Sequence, residues 1–202
     1  MDFYQLQWNL FKNRLKNIFL ISLGIYFVVA TAGYFLVLRN PDLVPQYMGW
    51  LKKSYSDLVL FRSNKLFLFT YILLTNLRAS FFAVLLGLIP FLIAPVIFLI
   101  VNGFMLGFIM AAAQMEGMPM GYTLLTRILP HGIIELPALF YSISLGMYLS
   151  AEITKKLDPG RRQDSVSLKM LMLEISQSYF LIIIPLLVLA AFIEAFITPL
   201  MG

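Results

Sequence analysis

"GLIPFLIAP", Gly87–Pro95, lies inside an apolar stretch that runs from Leu66 to Ala113. A bilayer core about 30 Å thick is crossed by about 20 helical residues, so this stretch is too long for one span. Each proline removes a backbone donor and disfavours helix at the residue before it, so the segment reads as a turn between two helical limbs. The apolar runs are continuous and do not alternate with period two, which selects helices over a β-barrel. The chain is therefore expected to be all-α: a polytopic helical membrane protein with about five membrane segments, including a Pro-broken hairpin.

Composition points the same way. Of the 202 residues, 60% are hydrophobic and 12% charged, and the mean hydropathy is +0.86. A soluble domain is about half apolar and about a quarter charged. The absence of cysteine removes disulfides and thiolate metal sites without fixing a redox compartment. The pI of about 9.5 points to topology or anionic lipid, because basic residues beside spans serve those roles; nucleic acid is not implied.

Outward from the hairpin, residues 18–38 form a first span. "ATA" at Ala30–Ala32 resembles a signal-peptide cleavage site, but the apolar run continues past it. In residues 1–17, Phe3, Leu6, Leu10 and Phe11 share a helix face, with Lys12, Arg14 and Lys16 near the end. That pattern predicts an amphipathic cytoplasmic segment lying on the membrane. Pro41 and Pro45 place residues 39–64 in an outer loop. Two layouts fit the stretch after this loop. In one, Leu66–Ile89 is a span with Arg78 near its middle. In the other, Asn64–Leu77 lies on the surface and Ala79–Gln114 forms the hairpin. The second is preferred, because arginine at mid-bilayer costs about 2.5–3.5 kcal/mol on insertion scales. The single transmembrane domain, residues 18–200, is thus read as spans near 18–38, 66–93, 95–114, 128–151 and 179–199. A basic cytoplasmic link, 152–177, precedes the last, with "LDPGRRQD" as its turn and "SVSLKMLMLEISQSYF" starting the final helix.

Positive charge sets the expected orientation. Lys12, Arg14 and Lys16 flank the first span, and Lys155, Lys156, Arg161, Arg162 and Lys169 occupy the link. Both are assigned to the cytoplasm, with the C-terminus outside. The outer loop carries Arg39, Lys52, Lys53, Arg62 and Lys65, so the bias is modest.

The ionisable residues within the spans are the candidate site. At 1.5 Å per residue, Glu194 lies roughly 22 Å beyond Tyr179, on the outer side. His131 and Glu135 open the fourth span at the same side. They share a face if the helix starts near Ile128. Pro137 equally permits a start at Leu136, with "PHGIIE" as a leading loop. A polar cluster of His131, Glu135, Glu194, Arg78 and Asn76 is expected there, either structural or binding, because an unpaired carboxylate in lipid is costly. Ala138, Ser142 and Gly146 form a small-residue stripe, and Gly103 and Gly107 form a GxxxG for close helix packing. Asn102 is expected to hydrogen-bond across helices. With one histidine, no cysteine, no HExxH, no GxSxG and no Walker motif, no catalytic residue, metal or cofactor is assigned.

"NLRAS" (Asn76–Ser80), "VNGFMLG" (Val101–Gly107), "PHGIIELPALFYSISLG" (Pro130–Gly146) and "AAFIEAFITP" (Ala190–Pro199) together resemble the stage II sporulation protein M family of integral membrane proteins. The resemblance covers most of Leu66–Pro199. It implies a multi-span, non-enzymatic scaffold. The founding member holds a lytic transglycosylase and an amidase at the septal membrane, where they thin peptidoglycan. The family also extends to organisms that do not sporulate, including archaea without ordinary peptidoglycan. Two other readings stand beside the scaffold. One is a small transporter, channel or permease-like subunit, which at this size implies a homo-oligomer if it conducts. The other is an intramembrane enzyme centred on His131, Glu135 and Glu194. The expected partners are the lipid bilayer and membrane or envelope proteins, with no nucleic acid.

The topology is directly testable, because any introduced cysteine is unique. Gln163→Cys is expected to resist an impermeant thiol reagent in intact cells and to react after permeabilisation. Labelling from outside would refute the assigned orientation.

Overall fold

A computed structural model describes residues 3–45, 64–119, 121, 129–161, 163 and 165–197, and the side chains of all of these except 3 and 129–131. Most of the expected outer loop therefore lies outside the described residues. The described chain is helical throughout. It comprises α1 (Phe3–Leu10), a π-helical segment (Phe11–Leu15), α2 (Lys16–Arg39), α3 (Lys65–Leu85), a 3-10 turn (Leu86–Leu88), α4 (Ile93–Met115), α5 (Leu129–Leu157), α6 (Leu168–Ser178), a second π segment (Tyr179–Ile183), α7 (Ile184–Phe192) and a third π segment (Ile193–Ile197). Five of the resulting helical stretches are long and apolar enough to cross a membrane: Tyr4–Arg39, Lys65–Leu88, Ile93–Met115, Gly132–Leu157 and Leu168–Ile197.

Local signals set the boundaries. The Asn64 side chain accepts hydrogen bonds from the Leu66 and Phe67 N–H groups, both 3.1 Å, and caps α3. Ser167 caps α6 by accepting from the Met170 N–H at 3.3 Å. The α3–α4 turn falls at "GLIPFLIAP". Phe91 and Leu92 adopt positive φ, 66° and 62°, a region that residues with a Cβ rarely enter. Helix α5 holds the turn there. The Phe91 N–H donates to Thr154 Oγ1 at 2.8 Å and the Leu92 N–H to Ser150 Oγ at 3.0 Å. Ser150 Oγ in turn donates to the Ile89 carbonyl at 2.5 Å. Backbone groups released by the proline break are thus satisfied by the neighbouring helix.

Contacts between helices give their directions. Gly103 faces Tyr26 and Gly107 faces Ala30, so α2 and α4 run parallel. Gly146 faces Ala83, and Ser150 meets Ile89, so α3 and α5 also run parallel. Ser80 meets Tyr179 while Phe69 meets Phe196, so the last helix opposes α3. Consequently the α3–α4 turn, the start of α2 and the link after α5 share one end of the bundle. Helix α5 is central: 67% of its most apolar window is buried, against 22–39% for the other spans. Phe140, Ile143, Leu145 and Leu149 are fully enclosed along it.

Three expectations are corrected. Residues 4–17 are not a segment separate from the first span. Tyr4–Arg39 is one continuous helix, and Leu10 and Leu15 are buried in a cluster with residues of α5 and α6, which supply the apolar contact that lipid was expected to supply. The surface-helix layout is also overturned. Helix α3 runs unbroken through Arg78, with Leu73 and Leu77 on the core and Phe69 beside Phe196, so Asn64–Leu77 packs along the last helix. Asn102 does not bond across helices. Its Nδ2 donates to the Phe98 carbonyl of its own helix at 2.8 Å. Of the two starts open for the fourth span, the chain takes the earlier, since α5 is helical from Leu129 through Pro137.

The glycines are used within the chain. A Cβ on Gly107 would fall on the Ala30 carbonyl, one on Gly146 on the Ala83 carbonyl, and one on Gly103 at 2.9 Å from the Tyr26 carbonyl. Gly24 has open space around it. Gly103→Leu, Gly107→Leu and Gly146→Leu are therefore expected to lose about 3 kcal/mol or more by overpacking, while Gly24→Leu stays near wild type. Melting in detergent checks this.

Candidate functional site

Polar groups gather at two levels of the bundle. At the end shared by the turn and the link, the network is closed. Glu152, only 1% exposed, sits on the last turns of α5. Its Oε1 accepts from Lys155 Nζ at 2.6 Å and its Oε2 from the Val166 N–H at 2.8 Å, which pins the link back onto the helix. The Tyr148 hydroxyl donates to Glu174 Oε2 at 3.3 Å, and Lys156 Nζ donates to Ser165 Oγ at 3.2 Å. Arg14 lies within electrostatic reach of both Glu152 and Glu174. One layer further in, Ser178 Oγ donates to the buried Gln7 Oε1 at 2.5 Å, and Gln7 Nε2 reaches Gln177 Oε1 at 3.5 Å. These contacts tie α1, α5 and α6 together.

The opposite side holds the residues singled out from sequence. Gly146 faces Ala83, so Glu135, eleven residues earlier on a parallel helix, lies near the level of Ile72. Phe196 meets Phe69, which puts Glu194 near the same level on the opposed helix. The two carboxylates thus share a depth. Glu135 also lies within electrostatic reach of the buried Tyr26 hydroxyl. Glu194 is half-buried in the third π segment and makes no hydrogen bond or ion pair with a described residue. The Asn76 Nδ2 is buried without a hydrogen-bond partner. Arg78 is set apart. It lies six residues beyond Ile72 along α3, about 9 Å from that level, and is exposed. It forms no ion pair with either glutamate. The His131 backbone belongs to α5, four residues from Glu135, and its side chain lies outside the described residues.

The small-residue stripe is a packing surface. Ala138, Ser142 and Gly146 are buried, and Ser142 returns its hydroxyl to the Ala138 carbonyl at 2.8 Å. Among the described residues no three His, Cys, Asp or Glu side chains converge on a metal-sized space. Sequence reasoning missed Glu152, Gln7 and Ser178. The one available signal was Glu152 set three residues before Lys155 at the end of an apolar run, a spacing that pairs charges on a helix.

The two levels should respond differently to substitution. Glu152→Leu strands the Val166 N–H and is expected to cost about 1–3 kcal/mol, more than Glu152→Gln, and Ser178→Ala leaves Gln7 short of a partner with a loss in the same range. Glu194→Leu removes a carboxylate that bonds no described residue and should leave the melting temperature within a degree or two of wild type. A large drop would show that Glu194 is structural.

Comparison with known proteins agrees with the fold. An uncharacterized protein of Methanocaldococcus jannaschii is 36% identical over 149 residues, spanning 71% of this chain and 78% of that protein. No solved structure matches. The family model of stage II sporulation protein M matches residues 18–199, nearly the whole transmembrane domain. With its motifs lying on the packing and polar surfaces of a five-helix bundle, the chain belongs to the stage II sporulation protein M family.

Proposed function

We propose that this protein is a non-enzymatic scaffold or complex subunit of the plasma membrane, with its N-terminus in the cytoplasm. The observation that carries this reading is the filling of the bundle centre. Helix α5 is enclosed by Phe140, Ile143, Leu145 and Leu149. Ser142 and Ser144 turn their hydroxyls back to the Ala138 and Phe140 carbonyls of their own helix, at 2.8 and 2.7 Å, while Ser150 and Tyr148 give theirs to Ile89 and Glu174. A conducting path needs polar groups facing a lumen, and these four hydroxyls are spent on contacts inside the bundle. The partners the family resemblance implies are envelope hydrolases that remodel peptidoglycan, with the membrane protein holding them at the bilayer.

One observation favours a second reading, a permease-like subunit. The Glu194 carboxylate and the Asn76 Nδ2, which bond no described residue, are the polar groups a small-ion or proton site would use.

Purification from native membranes in mild detergent, paired with proton flux into vesicles containing the purified chain, separates the two. Co-purification of envelope proteins in fixed ratio, with flux equal to that of protein-free vesicles, is the expected result. Flux that disappears in Glu194→Gln would establish the permease reading.

A further inference from the structure

Arg78 is the residue the fold leaves unexplained. It lies thirteen residues from Lys65 and ten from Leu88, about 20 Å and 15 Å along the helix from the two ends of its span. An arginine side chain extends roughly 6–7 Å, so snorkelling reaches neither interface from that depth. Its surroundings are an outward apolar stripe on α3, with Leu74 49%, Phe81 50% and Phe82 57% exposed. The nearby Leu77 carbonyl already takes the Tyr179 hydroxyl at 3.1 Å and the Ser80 hydroxyl at 3.0 Å. No described carboxylate lies within ion-pair distance.

We propose that this stripe of α3 is the docking surface for a transmembrane helix of another protein that carries an aspartate or glutamate near mid-span. Charge complementarity selects the occupant. A guanidinium with its polar hydrogens in hydrocarbon is stabilised by a carboxylate that meets it with two parallel hydrogen bonds. Lipid offers no such group at mid-depth. A second copy packed through the same stripe about a twofold axis normal to the membrane would set Arg78 against Arg78. The described carboxylates towards that side of the spans are at another level, Glu194 and Glu135 lying about 9–11 Å nearer the Lys65 end. The flanking Leu74, Phe81 and Phe82 supply the apolar contact such a helix needs, and Arg78 fixes its register. The inference rests on reading the protein as a complex subunit.

The test uses the full-length chain in phosphatidylcholine vesicles with a synthetic polyleucine helix of about 23 residues bearing one central glutamate. Energy transfer between labelled chain and labelled peptide reports association. Half-saturation is expected at an about tenfold lower peptide fraction than for the same peptide with central glutamine. Arg78→Leu should abolish that preference, and Arg78→Lys should retain part of it, which separates loss of charge from loss of fold. Equal binding of the two peptides overturns the proposal. So does a preference that survives Arg78→Leu, or peptide-free transfer between labelled copies that Arg78→Leu removes, since the occupant is then a second copy. If the preference fails while envelope proteins still co-purify, the scaffold reading stands and α3 is not its contact. If it holds while none co-purifies, the surface stands without that reading.

Discussion

The rest of the bundle depends on the backbone contact between α3 and α5 at Ala83, Gly87 and Gly146. Lipid tails are as apolar as leucine, so helices in a bilayer gain little by hiding apolar surface from one another. They associate through close van der Waals contact and polar bonds, and both strengthen as backbones approach. Gly146 lets α3 lie directly on α5, which brings Ser150 within reach of the turn at the end of α3. That turn starts α4, and α4 in turn seats on α2 through Gly103 and Gly107. One contact between small residues thus propagates across four helices.

The two ends of the molecule treat polar groups in opposite ways. At the turn end, Glu152, Glu174, Gln7, Ser150 and Thr154 are each bonded to a neighbour, often to backbone that the helix ends leave open. Such a closed network fixes one arrangement of helices. Further along, the Asn76 Nδ2 and the Glu194 carboxylate bond no described residue, and Arg78 faces outward in the middle. Unmet polar groups in a membrane are expensive, and the family motifs "NLRAS" and "AAFIEAFITP" contain these same residues. The strain of the fold is concentrated where an external group would relieve it.

The spans, the proline turn and the glycine surfaces were legible in the sequence because each rests on local chemistry: run length, a missing N–H, a missing Cβ. Arg78 shows where such reading stops. The cost of a mid-bilayer arginine argued for breaking α3 before Ala79, yet packing of Phe69, Leu73 and Leu77 against the bundle keeps the helix whole. Tertiary contact overrode a penalty that applies to an isolated helix. Residues 1–17 carried a surface-helix pattern because an apolar stripe cannot reveal whether lipid or protein covers it. The levels of Glu135 and Glu194 could be estimated from run length alone, whereas the partners of Gln7 and Glu152 come from segments far apart in the chain and leave no periodicity to read.

The bond between Gln7 and Ser178 joins residues 171 positions apart. At about 5–20 residues per second, a ribosome needs roughly 10–30 s to make the second after the first. Through that interval the buried Gln7 lacks Ser178, and Leu10 lacks the part of its cluster that Leu171 and Ile175 supply. The bundle closes only when the last helix arrives, so a chain truncated before residue 168 leaves Gln7 without the partners that hold it here.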